Sequence, residues 1–146
     1  MLHAVLIFNE VGKPRMMRFY DGTPLRNQGE VLKGLHALVS ERNLDDCCVI
    51  NDYKNNPDLK VIYRHFATLY FVILIDTAES ELAILDLIQV LVQVLDACFE
   101  NVCELDLIYH FDRVQYILDE LVIGGCVLES NVDSIMQAIS ETSMIK

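Results

Sequence analysis

The chain opens on a short, apolar, partly β-branched run at 3–8 (HAVLIF), which predicts a strand. Glu10-Val11-Gly12-Lys13 is a turn signal, and a second strand over 15–20 completes a hairpin. Asp21-Gly22-Thr23-Pro24 ends it. Over 28–42 the period changes. Val31, Leu32, Leu35, Leu38 and Val39 form the stripe of an amphipathic helix, weakened by Gly29 and Gly34. Residues 47–50 predict a short strand, and 51–58, polar and containing Pro57, a loop. Two further strands follow over 59–66 and 68–75. The second, TLYFVILI, is nearly all apolar and predicts a strand covered on both faces.

Helices take over from there. One runs over 80–101, with Ser80 as N-cap and Glu81 in the first turn. Its polar residues Asp86, Gln89, Gln93, Asp96 and Glu100 make one thin stripe, so it is expected to be buried on more than one side, by its own sheet and by a second helix or another chain. A helix over 105–123 carries Val114, Ile117, Leu118, Leu121 and Val122 on one face and stops at Gly124-Gly125. A last short helix follows Ser130 or Asn131, with Val132, Ile135, Met136 and Ile139 on one face. Strands first and helices last predict an α+β domain on an antiparallel sheet. At 146 residues, without repeats or low-complexity tracts, the chain reads as a single domain over 1–146.

Composition narrows the function. With 53% hydrophobic residues the chain is not disordered. Acids outnumber bases 22 to 11, for a net charge of −11, which disfavours nucleic acid and direct attachment to an anionic membrane. The charge is split. Residues 1–73 hold 8 acids and 9 bases, whereas 74–146 hold 14 acids and 2 bases, Arg113 and Lys146. An anion recognised by this chain is therefore expected to meet its first half. The opening lacks the cationic region of a signal peptide. The longest apolar run, 82–95, is broken by Asp86, Gln89 and Gln93 and falls short of the ~20 residues of a membrane span. The five cysteines (Cys47, Cys48, Cys98, Cys103, Cys126) are odd in number and read as reduced cytosolic thiols.

Catalytic patterns are missing. Gly12-Lys13 is followed by Pro14, not by the Ser or Thr of a phosphate loop, and no GxGxxG, GxSxG, HExxH or CxxC occurs. His3, His36, His65 and His110 are scattered, and the acid pairs Glu104/Asp106 and Asp119/Glu120 read as solvated helix faces. No catalytic residue, metal or cofactor is implied. The scarce bases stand out. Arg15 and Arg18 on the second strand and Arg64 on the fourth would make an anion site if the sheet brought them together, although spacing alone favours ordinary charged strand ends.

Three blocks carry a resemblance: HAVLIFNEVGKPRMMRFY, IYRHFATLYFVILID, and SELAILDLIQVLVQVLDACFENVCELDLIYHFDRVQYILDELVIGG. Together they resemble the small (sigma) subunits of clathrin-type adaptor protein complexes from Leu2 to about Ile139, with FENVCELDL especially specific. Within that family the IFN-x-x-GKPR opening, the YRH-F-ATLYF block and the DLIQVLVQ helix look most like the sigma subunit of complex 3, ahead of those of complexes 1 and 2. The resemblance implies a longin-type domain, a five-stranded antiparallel sheet with helices packed on both faces. It also implies a non-enzymatic subunit of a heterotetrameric vesicle coat, beside a large delta-type subunit with beta-3 and mu-3. With the large subunit it would bind cargo tails bearing acidic dileucine signals (an acidic residue, three of any type, Leu, then Leu or Ile), on the cytosolic face of endosomal and trans-Golgi membranes.

Position by position, the resemblance implies a dileucine pocket of Ala67 and Leu69 on the fifth strand, Val92 on the long helix, and Asn101, Val102, Leu105 and Leu107 in FENVCELDL. Arg15 matches the arginine near the acidic position, with Arg64 as a possible aid if the strands bring it close. Core packing accounts equally well for Leu105, and less well for Asn101 and Arg15. Other readings are a longin domain from another coat or tether, a longin-type SNARE, for which the heptad segment is missing, and a small cytosolic enzyme, for which the motifs are missing.

Overall fold

A computed structural model describes residues 2–42, 48–99, 102–123 and 126–127. The expected final helix after Ser130 and the pocket candidate Asn101 lie outside these residues. The elements are β1 (Leu2–Asn9), β2 (Pro14–Phe19), α1 (Leu25–Ser40), β3 (Val49–Ile50), β4 (Leu59–Phe66), β5 (Leu69–Asp76), α2 (Glu81–Phe99), α3 (Glu104–Tyr109), α4 (Phe111–Leu121), β6 (Val122–Ile123) and β7 (Cys126–Val127). A single 3₁₀ turn, Tyr53–Asn55, lies in the loop before β4.

Five strands form one antiparallel sheet in the order β2-β1-β5-β4-β3. The two most apolar strands, β1 and β5, lie side by side near its centre, as their near-continuous hydrophobic runs require. The alternation of side chains sorts the core into two layers. Val5 and Ile7 with Leu69, Phe71, Ile73 and Ile75 pack against α2, α3 and α4. Ala4, Leu6 and Phe8 with Val72 and Leu74 pack against Leu32, Leu35 and Val39 of α1. Helices thus cover both faces of the sheet, as the longin-type fold requires.

The β1–β2 turn is built by Asn9. Its Oδ1 accepts hydrogen bonds from the backbone N–H groups of Val11 (3.0 Å) and Lys13 (2.9 Å). Gly12 sits at φ +97°, where a Cβ would fall 2.9 Å from His36 Nδ1, so glycine is needed both for backbone and for space. Ser80 caps α2 as expected, its Oγ accepting from the Ala83 N–H at 3.3 Å. By length and composition α2 is long and apolar enough to cross a membrane, a span the broken run did not suggest. Here Ile84, Leu87, Ile88, Val90, Leu91, Val92, Val94 and Leu95 are buried in the core instead. The second cover that its narrow polar stripe demands comes from this chain's own α4.

The expected helix over 105–123 is two helices. His110, at φ −120° and ψ 39°, breaks the path. Its N–H closes α3 on the Asp106 carbonyl (2.9 Å), and its own carbonyl accepts from Arg113 and Val114 to start α4. The His110 ring stacks on Phe99 at the end of α2 (centroids 5.5 Å apart, planes at 22°). The break therefore coincides with a tertiary contact that local periodicity does not contain. The helix also ends before the glycine pair. Val122, at φ −136° and ψ 131°, is already extended, and Val122 and Ile123 pair antiparallel with Val127 and Cys126.

Candidate functional site

The site is assembled where β2 meets the segment joining α2 to α4. The backbone N–H of Val102 donates to Asp96 Oδ1 of α2 at 3.0 Å, fixing the chain as it leaves that helix. Cys103 then caps α3 in a reciprocal pair: Asp106 accepts from the Cys103 N–H at 3.0 Å, and the Cys103 sulfur meets the Asp106 N–H. These two anchors carry Val102 and Leu107 inward. Leu69 of β5, Val92 of α2, Val102 and Leu107 share one buried cluster, each 4% exposed or less. Leu105, on the same short helix, points outward and is 58% exposed.

Ala67 is placed differently from expectation. It lies in the turn between β4 and β5, exposed and at φ 55°, not on the fifth strand, which begins at Leu69. A β4–β5 connection of only two residues, Ala67 and Thr68, is tight enough to require left-handed backbone, and here a non-glycine residue supplies it.

Arg15 is the second residue of β2, and its Nε lies 3.6 Å from Oε1 of Glu104, the first residue of α3. The two side chains are 20% and 28% exposed, yet both contacting atoms are buried and neither has a hydrogen-bond partner. The contact is ionic, at a distance too long for a hydrogen bond. Arg64 is not brought to Arg15. β1 and β5 lie between their strands, a separation of three strand spacings, ~14 Å. Arg64 Nη1 instead donates to Gln89 Oε1 of α2.

The other sheet cations behave alike. Arg18 of β2 donates from Nη1 to Asp119 of α4 at 2.7 Å and from Nη2 to Gln115. Lys60 of β4 donates to Glu81 of α2 at 2.7 Å. The pairing of Arg15 with Glu104 was not legible from spacing, because the partners come from opposite ends of the chain and no motif links them.

Beside the site the α3–α4 elbow exposes Leu105, Ile108, Tyr109 and Phe111. A shallow cavity of about 310 Å³ lies there, lined by residues 109–113. The Arg113 guanidinium lies 5.4 Å from the centre of the Phe99 ring. Burial pushes the Cys98 thiol above its ordinary pKa, with Arg113 opposing the shift. A second cavity, of about 340 Å³, lies against α1 and is lined by Gly34, Leu38 and residues 50–54. Among the described residues no three His, Cys, Asp or Glu side chains cluster as a metal site would require.

The sheet is covered by helices on both faces, and beside it a buried apolar cluster lies next to a paired arginine. The clathrin adaptor complex small chain family matches residues 1–146. The chain is 49% identical over 148 residues to AP-3 complex subunit sigma-2 of Homo sapiens, covering 100% of this chain and 77% of that protein. It is 50% identical over 135 residues to AP-3 complex subunit sigma of Dictyostelium discoideum, covering 90% of this chain and 79% of that one. The corresponding protein of Arabidopsis thaliana is 43% identical over 148 residues, covering 100% of this chain and 89% of that one. Among structures, a chain of a homology model of the full-length AP-3 complex in a stretched open conformation matches with a TM-score of 0.77 and 40% identity, covering 99% of this chain and 95% of that chain. The chain belongs to the clathrin adaptor complex small chain family, whose members are non-enzymatic subunits of vesicle-coat adaptors.

Proposed function

We propose that this protein is the sigma subunit of an AP-3-type adaptor heterotetramer, held by a large delta-type subunit together with beta-3 and mu-3. With its large partner it recognises acidic dileucine signals in cargo tails. It acts on the cytosolic face of endosomal and trans-Golgi membranes and on transport vesicles, and reaches the membrane only through the complex. The similarity to AP-3 sigma subunits over 90–100% of this chain supports the complex.

For signal binding, the supporting observation is that Leu69 of β5, Val92 of α2, Val102, and Leu107 of α3 belong to one apolar cluster, next to the α3 residue Glu104 that meets Arg15. Two leucine side chains need such a lining, and each contributes ~1.5–3 kcal/mol when buried. In the structure the four residues are packed as core, so on this reading α3 moves outward to admit the signal. On the same reading Leu105 and the Ala67 turn form the rim, and Arg15 meets the acidic residue. Arg64, three strands away and engaged by Gln89, contributes at most long-range charge.

The test is to co-express the chain with delta-type, beta-3 and mu-3 subunits and titrate the purified complex with a labelled acidic dileucine peptide. The expected result is saturable binding that disappears when the leucine pair is replaced by serines. Equal binding of both peptides would overturn the proposal.

A further inference from the structure

We propose that Glu104 stands in for the acidic residue of the sorting signal, occupying Arg15 until a signal displaces it; this rests on the dileucine reading above. The geometry is that of a placeholder. Arg15 Nε and Glu104 Oε1 face each other at 3.6 Å, both buried and both without a hydrogen bond. A buried donor and a buried acceptor that attract without bonding leave part of their desolvation cost uncompensated. An incoming carboxylate free to approach in the plane of the guanidinium makes the forked, charge-assisted bonds that Glu104, held at the start of α3, does not make. The other sheet cations contrast with this. Arg18 and Lys60 hold their carboxylates at 2.7 Å, as satisfied structural pairs do. Arg15 is the one of these three that is held without a bond.

The placeholder has a mechanical consequence. Glu104 is the first residue of α3, the helix that carries Leu105 and Leu107 and follows Val102. Exchange of Glu104 for the signal's carboxylate removes the ion pair between α3 and β2, one of the contacts that hold that helix, at the moment the leucine pair needs room beneath it. Reading of the acidic residue and admission of the leucines are thereby coupled through one side chain. The α3 cap is left in place, because it is made by Cys103 and Asp106 and not by Glu104.

Glu104→Gln in the assembled heterotetramer tests this by fluorescence titration with two peptides, one carrying Glu at the acidic position and one carrying Ala there. Removing a competing pair of this exposure is expected to tighten the acidic peptide roughly two- to five-fold. The Ala peptide should gain less, and the extra gain for the acidic peptide should vanish in Arg15→Ser/Glu104→Gln. Glu104→Asp, one methylene shorter, should give a smaller gain of the same kind, so the test survives a poorly folded Gln variant. Unchanged or weaker acidic-peptide binding in both variants, or equal gains for the two peptides, would overturn the placeholder role. Failure of the wild-type complex to distinguish leucine from serine peptides is a separate result, and it overturns the underlying reading as well.

Discussion

Arg18 on β2 and Asp119 on α4 are 101 positions apart in the chain and 2.7 Å apart in the fold. The pair shows where the lopsided charge of the sequence goes. Arg15, Arg18, Lys60 and Arg64 of the first half sit on the sheet, and Glu81, Glu104 and Asp119 of the second half sit on the helices that cover it. Arg15–Glu104, Arg18–Asp119 and Lys60–Glu81 join the two layers. The imbalance places any recognised anion at the first half of the chain, yet three of that half's nine bases pair with helices of the same molecule.

Arg18→Ala is expected to lower the unfolding free energy by about 0.5–1 kcal/mol, since a half-exposed pair is worth little and Gln115 loses its donor as well. Urea denaturation of Arg18→Ala, Asp119→Ala and the double variant should show a coupling that shrinks in high salt. A coupling of zero at low salt would mean the pair contributes nothing.

Leu105 is the pocket candidate that can be changed without penalty to the fold. It is 58% exposed, so Leu105→Ser should alter stability by no more than about 0.5 kcal/mol. In the complex it should weaken dileucine-peptide binding several-fold. Val92→Asp makes a poorer probe, because it would bury a charge at a position only 4% exposed and unfold the chain. Normal peptide affinity in Leu105→Ser would remove Leu105 from the site.

Arg15→Ser is expected to weaken acidic-peptide binding roughly ten-fold, equivalent to ~1.4 kcal/mol. The loss should shrink as salt rises and should be small with a peptide whose acidic residue is Ala. Equal losses for both peptides would show that Arg15 does not read the acidic position.

The exposed Leu105, Ile108, Tyr109 and Phe111 predict self-association of the isolated chain. Light scattering should show oligomers at high concentration, and Ile108→Gln with Phe111→Ser should return the chain toward the monomer. A strictly monomeric wild-type chain would contradict this.

Thiol chemistry should distinguish Cys103 from Cys98. Cys103 is exposed, whereas Cys98 is half-buried and burial holds its thiol above the ordinary pKa. At pH 8 less of Cys98 is therefore thiolate than of an ordinary thiol, and its alkylation should lag and accelerate at higher pH. Peptide mapping after timed iodoacetamide treatment measures both rates, and a faster Cys98 would refute the assignment.

The elements that rest on local periodicity were legible in the sequence. The hairpin, α1, the all-apolar β5 and the Ser80 cap follow from patterns a few residues long. What depended on distant partners was not. Nothing in the sequence around His110 marks a break, because the Phe99 ring that stacks on it belongs to another helix. Periodicity leaves Ala67 between two strands, and only the resemblance puts it on the fifth; the tight β4–β5 turn takes it at positive φ. The pocket candidates were named from a resemblance, while the pairing of Arg15 with Glu104 came only from the fold.

The sheet's two outer strands carry a consequence for how the molecule can meet others. On one side β2 begins at Pro14, which has no N–H to offer, and carries the charged Arg15 and Arg18; on the other β3 is two residues long. Neither margin, among the described residues, presents a long ladder of open backbone groups that a foreign strand could zip onto. Indiscriminate backbone pairing at these two margins is therefore limited to short stretches, which leaves side chains on helices and turns, with their shape and charge, to discriminate between partners.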